Sequence, residues 1–252
     1  MITVRARGAG SERFGVEVER VEQTPSGGYS FLPAARTAFS ASTWIAAHPR
    51  EFVLQGGRSQ VVEYSIRVPV GVEPGDHLGA VTVKQLRLGR ATVAAVQAIA
   101  VRTTIRVPGR IRQAVVLGEI GTPALASGGP VTVATTVRNT GDVRLDFNAN
   151  NPAALAILDG SKVSARLPFI GLLYPGQVRS FRLTWQDPPT FGKLKARVSV
   201  RLSNGPRSNT ASFWMVPWRQ AGAVLLIALA AVVIYVQRKR RRSRSRVAEA
   251  GR

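Results

Sequence analysis

His48 and His77 are the only imidazoles in this 252-residue chain, and cysteine is absent. Thiolate nucleophiles, disulfides and cysteine-ligated zinc are therefore excluded at the outset. Asp76-His77 is the sole adjacent acid/base pair. Neighbouring residues on a strand point to opposite faces, however, and Pro74-Gly75-Asp76-His77 reads as a turn entering the strand Ala80 to Lys84. A general base needs a positioned partner, which this spacing withholds. The remaining carboxylates, among them Glu63, Asp142 and Asp159, show no metal-ligand spacing. No Gly-x-Ser-x-Gly elbow is present, and the glycine pairs sit in hairpin turns, without the strand-to-helix context of a phosphate loop. The expectation is a chain that is not an enzyme, with no catalytic residues, no cofactor and no metal.

Aromatic rings are the other side chains that could act, because exposed rings serve as platforms for sugars. Trp44 and Trp185 read first as core residues, since large aromatics dominate the buried area of small cores. Tyr29 and Phe31 fall in the stretch from Thr24 to Thr43, which has no counterpart later in the chain and is the expected place for a binding loop. Tyr29, Phe31 and Trp44 are the candidate ligand contacts.

The elements that must position these residues are strands. Val62, Tyr64, Ile66 and Val68 alternate with Val61, Glu63, Ser65 and Arg67; Ile99, Val101, Thr103, Ile105 and Val107 alternate with Arg102, Thr104 and Arg106. The same period of two returns at Val131 to Val137, Phe181 to Trp185 and Val198 to Leu202. Turn signals follow at short spacing, including Ser26-Gly27-Gly28, Gly56-Gly57, Pro108-Gly109, Asn139-Thr140-Gly141-Asp142, Pro175-Gly176 and Asn204-Gly205-Pro206. The fold class this predicts is all-β, as immunoglobulin-like β-sandwiches.

The pattern also repeats. Ile2 to Val16 aligns with Val133 to Phe147, Leu54 with Leu173, and Gly75 to Val83 with Gly192 to Val200. Two sandwiches follow, residues 1–109 and 110–216, each of ordinary domain size. The second copy has an opening strand, expected within Ile111 to Ile120, that the first lacks. The first sandwich is thus expected to expose an unpaired edge and part of its core, and to be truncated at its N-terminus.

Beyond the sandwiches, Ala221 to Val236 is an uninterrupted apolar or small run of sixteen residues. It predicts a membrane-spanning helix over 217–237, with Trp214, Trp218 and Tyr235 at the interfaces. The basic tail, 238–252, opens with Arg238, Lys239, Arg240, Arg241 and Arg242, which by the positive-inside rule lie in the cytoplasm and leave the body outside the cell. Met1 to Phe14 has no apolar leader, so this orientation leads us to expect a further segment upstream. Of the net charge of +21, the residues before 219 carry 26 basic against 13 acidic groups, or +13. A cationic body outside a cell would meet wall polymers or lipid headgroups, and no specific nucleic-acid partner is expected.

The run Trp44-Ile45, His48-Pro49, Phe52-Val53-Leu54 and Gly57, with Tyr64-Ser65-Ile66-Arg67-Val68-Pro69 and Pro74-Gly75-Asp76-His77-Leu78-Gly79, resembles the peptidoglycan-binding-type domain of the WxL-interacting surface proteins of Gram-positive bacteria. The resemblance covers residues 44–109 and implies a wall-associated binding protein without enzymatic activity. Two functional expectations follow. One is a membrane-anchored scaffold contacting a cell-wall polymer or a partner surface protein; the other is an assembly or chaperone-like module that holds exported chains by strand addition.

Overall fold

The computed structural model describes residues 1–7, 10–86, 97–217, 222–223 and 225–236. Its strands fall into two groups, and among the described residues no ladder joins them. The first group comprises β1 (Ile2–Arg5), β2 (Ser11–Gln23), β3 (Tyr29–Pro33), β4 (Ile45–His48), β5 (Glu51–Gln55), β6 (Ser59–Ile66), β7 (Gly75–Leu86) and β8 (Ala98–Val107). These form one sheet in the order β1-β6-β4 and another in the order β3-β2-β7-β8, with β5 also paired to β2. Alternation turns Phe14, Val16, Val62, Val81 and Val83 into the space between the sheets, where they form the first core with Ile45 and Leu54.

The second group comprises β9 (Val115–Leu117), β10 (Leu125–Ala126), β11 (Val131–Asn139), β12 (Leu145–Phe147), β13 (Ala153–Asp159), β14 (Lys162–Phe169), β15 (Gly171–Leu173), β16 (Val178–Trp185), β17 (Gly192–Leu202) and β18 (Gly205–Met215). A sheet β16-β11-β9 faces a sheet β10-β18-β17-β13-β14, with β12 and β15 paired beside them. The period of two read at Val131 to Val137 and Val198 to Leu202 appears directly: Val133, Val137, Val198 and Val200 are buried between the sheets with Phe147, Phe181 and Phe213.

Both groups follow one plan. In the first, Ile2 pairs with Val62 and Gly75 with Val107; in the second, Val133 pairs with Leu183 and Gly192 with Met215. Strands β1, β6, β7 and β8 thus occupy the places of β11, β16, β17 and β18. Two expectations change. Tyr29 and Phe31 belong to the paired edge strand β3, not to a loop, because Tyr29–Pro33 pairs with Glu19–Gln23. Val68 lies beyond the end of β6 and is exposed, so its alternation stops at Ile66.

Residues 225–236 are helical and exposed, and no helix among the described residues is long and apolar enough to cross a membrane. Trp218 and the tail from Arg238 through Lys239, Arg240, Arg241 and Arg242 lie outside the described residues.

Candidate functional site

The two copies of the plan differ at one side of the sandwich. In the second, the segment from Val115 to Ala126 closes the gap between the sheets. β9 runs antiparallel to β11, pairing Leu117 with Val137; a bridge joins Gly121 to Ala134; and β10 runs parallel to β18, pairing Leu125 with Trp214. Backbone bonds hold it on both sides: Gly118 N–H donates to the Thr136 carbonyl at 2.8 Å, Gly121 and Ala134 exchange bonds at 2.8 and 3.1 Å, and Trp214 N–H donates to the Ala124 carbonyl at 3.1 Å. Ile120 is buried in the core, with Val115, Leu117 and Ala126 packed against it.

In the first sandwich, nothing among the described residues pairs with the outer edge of β1 or of β8. The side chains beneath register this. Phe213 and Met215 are each 0% exposed, whereas Ile105 and Val107 at the equivalent places on β8 are half-buried, and Ile99 is 73% exposed. A groove of about 1120 Å³ lies between β1 and the Ile99 end of β8. Its apolar lining is Ile2, Val4, Ala6, Phe14, Val83 and Ile99.

The groove's rims also carry backbone polar groups. Ala6 bonds toward β6, donating to the Arg58 carbonyl and accepting from Gly57 N–H, so strand alternation directs the N–H and C=O of Thr3 and Arg5 to the open side. On β8, the Gln97 carbonyl accepts from Gln85 N–H, and the same alternation turns the backbone groups of Ala98 and Ala100, beside Ile99, outward, and those of Arg102, Thr104 and Arg106 beyond the groove. Two unpaired edges flanking an apolar trough are chemically suited to one ligand class, an extended polypeptide. The repeat led to the expectation of an unpaired edge on the first sandwich; the groove and its place between Val4 and Ile99 needed the strand pairing.

The residues singled out by type lie elsewhere. Trp44 is 9% exposed and its ring lies 4.5 Å from that of His77, inside the first sandwich. His77 Nε2 donates to the Glu73 carbonyl at 3.0 Å. Asp76, on the opposite face of β7, accepts a forked pair of bonds from Arg106 at 2.7 and 2.8 Å and a third from Arg144 N–H at 2.8 Å. Asp76 therefore joins the sandwiches, and neither it nor His77 faces the groove. Tyr29 is covered by the Arg102 guanidinium at 3.8 Å and packs beside Val21, Leu78 and Tyr174, where the sandwiches meet. Phe31 is 37% exposed on the same strand, and the structure brings neither ring to the groove.

The junction between the sandwiches is built from short contacts. Gln23 N–H donates to Gln177 Oε1 at 2.9 Å, Gln23 Nε2 donates to the Leu172 carbonyl at 2.8 Å, and Ser180 N–H donates to the Pro25 carbonyl at 2.8 Å. Gly75 has a φ of +139° and lies so close to Asp142 that an added Cβ would come within 2.2 Å of its carbonyl oxygen. The cleft beside these contacts, lined by Arg20, Ser40 and Tyr174 among others, holds about 40 Å³, space on the scale of ordered water.

No protein-family model matches this sequence, and no curated protein matches it. Among solved structures, the chain is similar to a chaperone and tip-adhesin complex of CFA/I fimbriae, at 9% identity and a TM-score of 0.42 over 82% of this chain and 89% of that one. It is also similar to the class 5 fimbriae chaperone CfaA, at 10% identity and 0.38 over 84% and 90%. A third is the E. coli chaperone DraB, at 14% identity and 0.37 over 84% and 86%. Scores below 0.5 leave the functional question to the geometry of this chain.

Proposed function

We propose that this chain is a cell-surface assembly module that holds another exported polypeptide by β-strand addition at the open side of its first sandwich. The observation that supports the reading is that, among the described residues, nothing pairs with the outer edges of β1 and β8 beside an apolar groove, whereas β9 and β10 close the corresponding side of the second sandwich. Main-chain bonds along an edge supply affinity without sequence preference, and the apolar trough selects alternate side chains. In the same reading, residues 221–236 and the basic tail form a single-pass tether with the sandwiches outside the cell. A scaffold contacting wall polymer through exposed rings finds less support, because Trp44 is buried and Tyr29 is covered.

The test is a photo-reactive side chain placed at Thr3 or at Ile99 in the full chain, expressed in cells, with Val163 on β14 as the distant control. Both groove positions should couple to one extended apolar segment of the same exported polypeptide, and Val163 should not. Coupling to wall polymer alone, or equal coupling at all three positions, would refute the reading.

A further inference from the structure

The second sandwich gathers its positive charge on one face. On β17, Lys193, Lys195, Arg197 and Arg201 alternate with the buried Leu194, Ala196, Val200 and Leu202, so all four point outward and are exposed. Arg166 on β14 joins them, in register with Arg197 through Ala156 on β13. The positions between are short, among them Ala154, Ser199, Thr210 and Ser212, and none of these is a carboxylate. Among the described residues no salt bridge engages any of the five cations. The opposite sheet differs: its outer face turns out Arg138 and Arg182 among Thr132, Thr136 and Thr184.

A face of this kind repels itself. Successive outward positions on a strand lie about 7 Å apart, inside the screening length of about 10 Å at 0.1 M salt. An anionic surface laid against it relieves that repulsion along the whole row, which runs about 27 Å from Lys193 to Arg201 at about 3.4 Å per residue. We infer that this face is a docking surface for an anionic lipid bilayer, so that the second sandwich lies along the membrane and does not stand upright on its tether. The inference rests on the tether in the proposed function and is independent of strand addition. Two features favour a bilayer over a linear polyanion. The face is broad, with Arg166 two strands away from Arg197, whereas one polymer chain is matched by a single row. Its end at Met215, from which the proposed tether departs, is apolar, with Leu125, Phe191 and Trp214 exposed there. Such side chains enter the headgroup layer while the cations beyond them meet lipid phosphates.

The chain has no cysteine, so one introduced thiol can report the posture. Ser208 lies on the charged face toward the turn between β17 and β18, away from Met215. Thr132 lies on the opposite face at the tether end, because Asn139 at the other end of β11 bonds Leu173 beside the junction. An upright chain brings Thr132 nearer the bilayer; a chain lying on β17 brings Ser208 nearer. Full-length Ser208→Cys and Thr132→Cys variants, each carrying a fluorophore, are reconstituted into vesicles containing headgroup-spin-labelled lipid, which quenches at contact range. With phosphatidylglycerol present, Ser208 should be quenched at least threefold more than Thr132. The excess should vanish in pure phosphatidylcholine, in 1 M salt, and when Lys195→Glu and Arg197→Glu are combined, with melting unchanged. The opposite order, or equal quenching in every vesicle, would overturn the inference and leave the tether standing. Chain that alkaline extraction strips from all vesicles would remove the tether and the docking surface together. If Ser208 stays unquenched on vesicles yet is shielded by a soluble phosphodiester polymer, the face belongs to the polymer and the bilayer contact is refuted.

Discussion

At Asp76, burial alone would push the carboxyl's pKa up, but the bonds from Arg106 and from Arg144 N–H, together with both guanidinium charges, outweigh it and hold the pKa below its ordinary 3.8. A lowered folded pKa contributes stability that is complete above the unfolded value and is lost as pH falls through the folded one. Acid titration should therefore loosen the junction below about pH 3.8, and Asp76→Asn should abolish that acid step. At neutral pH the same substitution should cost about 2 kcal/mol, read from urea melts, because it removes charge-assisted bonds at a side chain that is 1% exposed. Trp44→Ala should cost about 3–5 kcal/mol in the same assay, the price of emptying a core site. The Asp76-His77 adjacency was visible in the sequence, but its use was not. Arg106 and Arg144 lie 30 and 68 residues away, and nothing local marks either as the partner.

The strands of strict alternation, β11 and β17, were legible because each buries one face only, so hydrophobicity reports the face directly. The repeat also led to the expectation of an unpaired edge on the first sandwich, and among the described residues nothing pairs with the outer edges of β1 and β8. β3 was not legible, since five residues ending in Pro33 after a glycine turn leave too short an alternation to separate strand from loop. Nor was the junction, where the decisive feature is a close approach of backbones. Gly75 and Gly192 occupy equivalent places with nearly equal φ, +139° and +142°, yet a Cβ at Gly192 would meet nothing within 4 Å. Alanine at Gly192 should thus report backbone strain alone, about 1 kcal/mol. Alanine at Gly75 should cost clearly more and should broaden the angle between sandwiches in solution scattering. Hydrogen exchange offers a second check at this scale: without an occupant, the amides of Thr3 and Arg5 should exchange orders of magnitude faster than that of Ala134, whose partner Gly121 is in place.

For the molecule as a whole, the Asp76 and Gln23 contacts reach the end of the second sandwich that carries Arg144, Leu172 and Gln177, and the proposed tether departs from the opposite end, after Met215. At that end Leu125 and Lys193 both pair with Trp214 in one row, and the Phe191 ring lies 6.5 Å from the indole. Phe191 and Trp214 are 67% and 44% exposed, and the Lys193 ammonium stands 5.9 Å from the Trp214 ring. Such an apolar and cationic face suits the headgroup layer of an anionic bilayer. In reconstituted bilayers, brominated lipid should quench tryptophan emission, Trp214→Ala should remove part of that quenching, and Lys193→Glu should reduce it in anionic but not neutral membranes. The open edge of β1 has a colloidal consequence as well. Arg5 and Arg7 are exposed along it, so two empty copies brought edge to edge would set cation against cation. Screening shortens from about 10 Å at 0.1 M salt to about 3 Å at 1 M. Sedimentation of the unoccupied chain should accordingly show monomers at low ionic strength and self-association as salt rises, making the bare edge self-excluding only while its charges are felt.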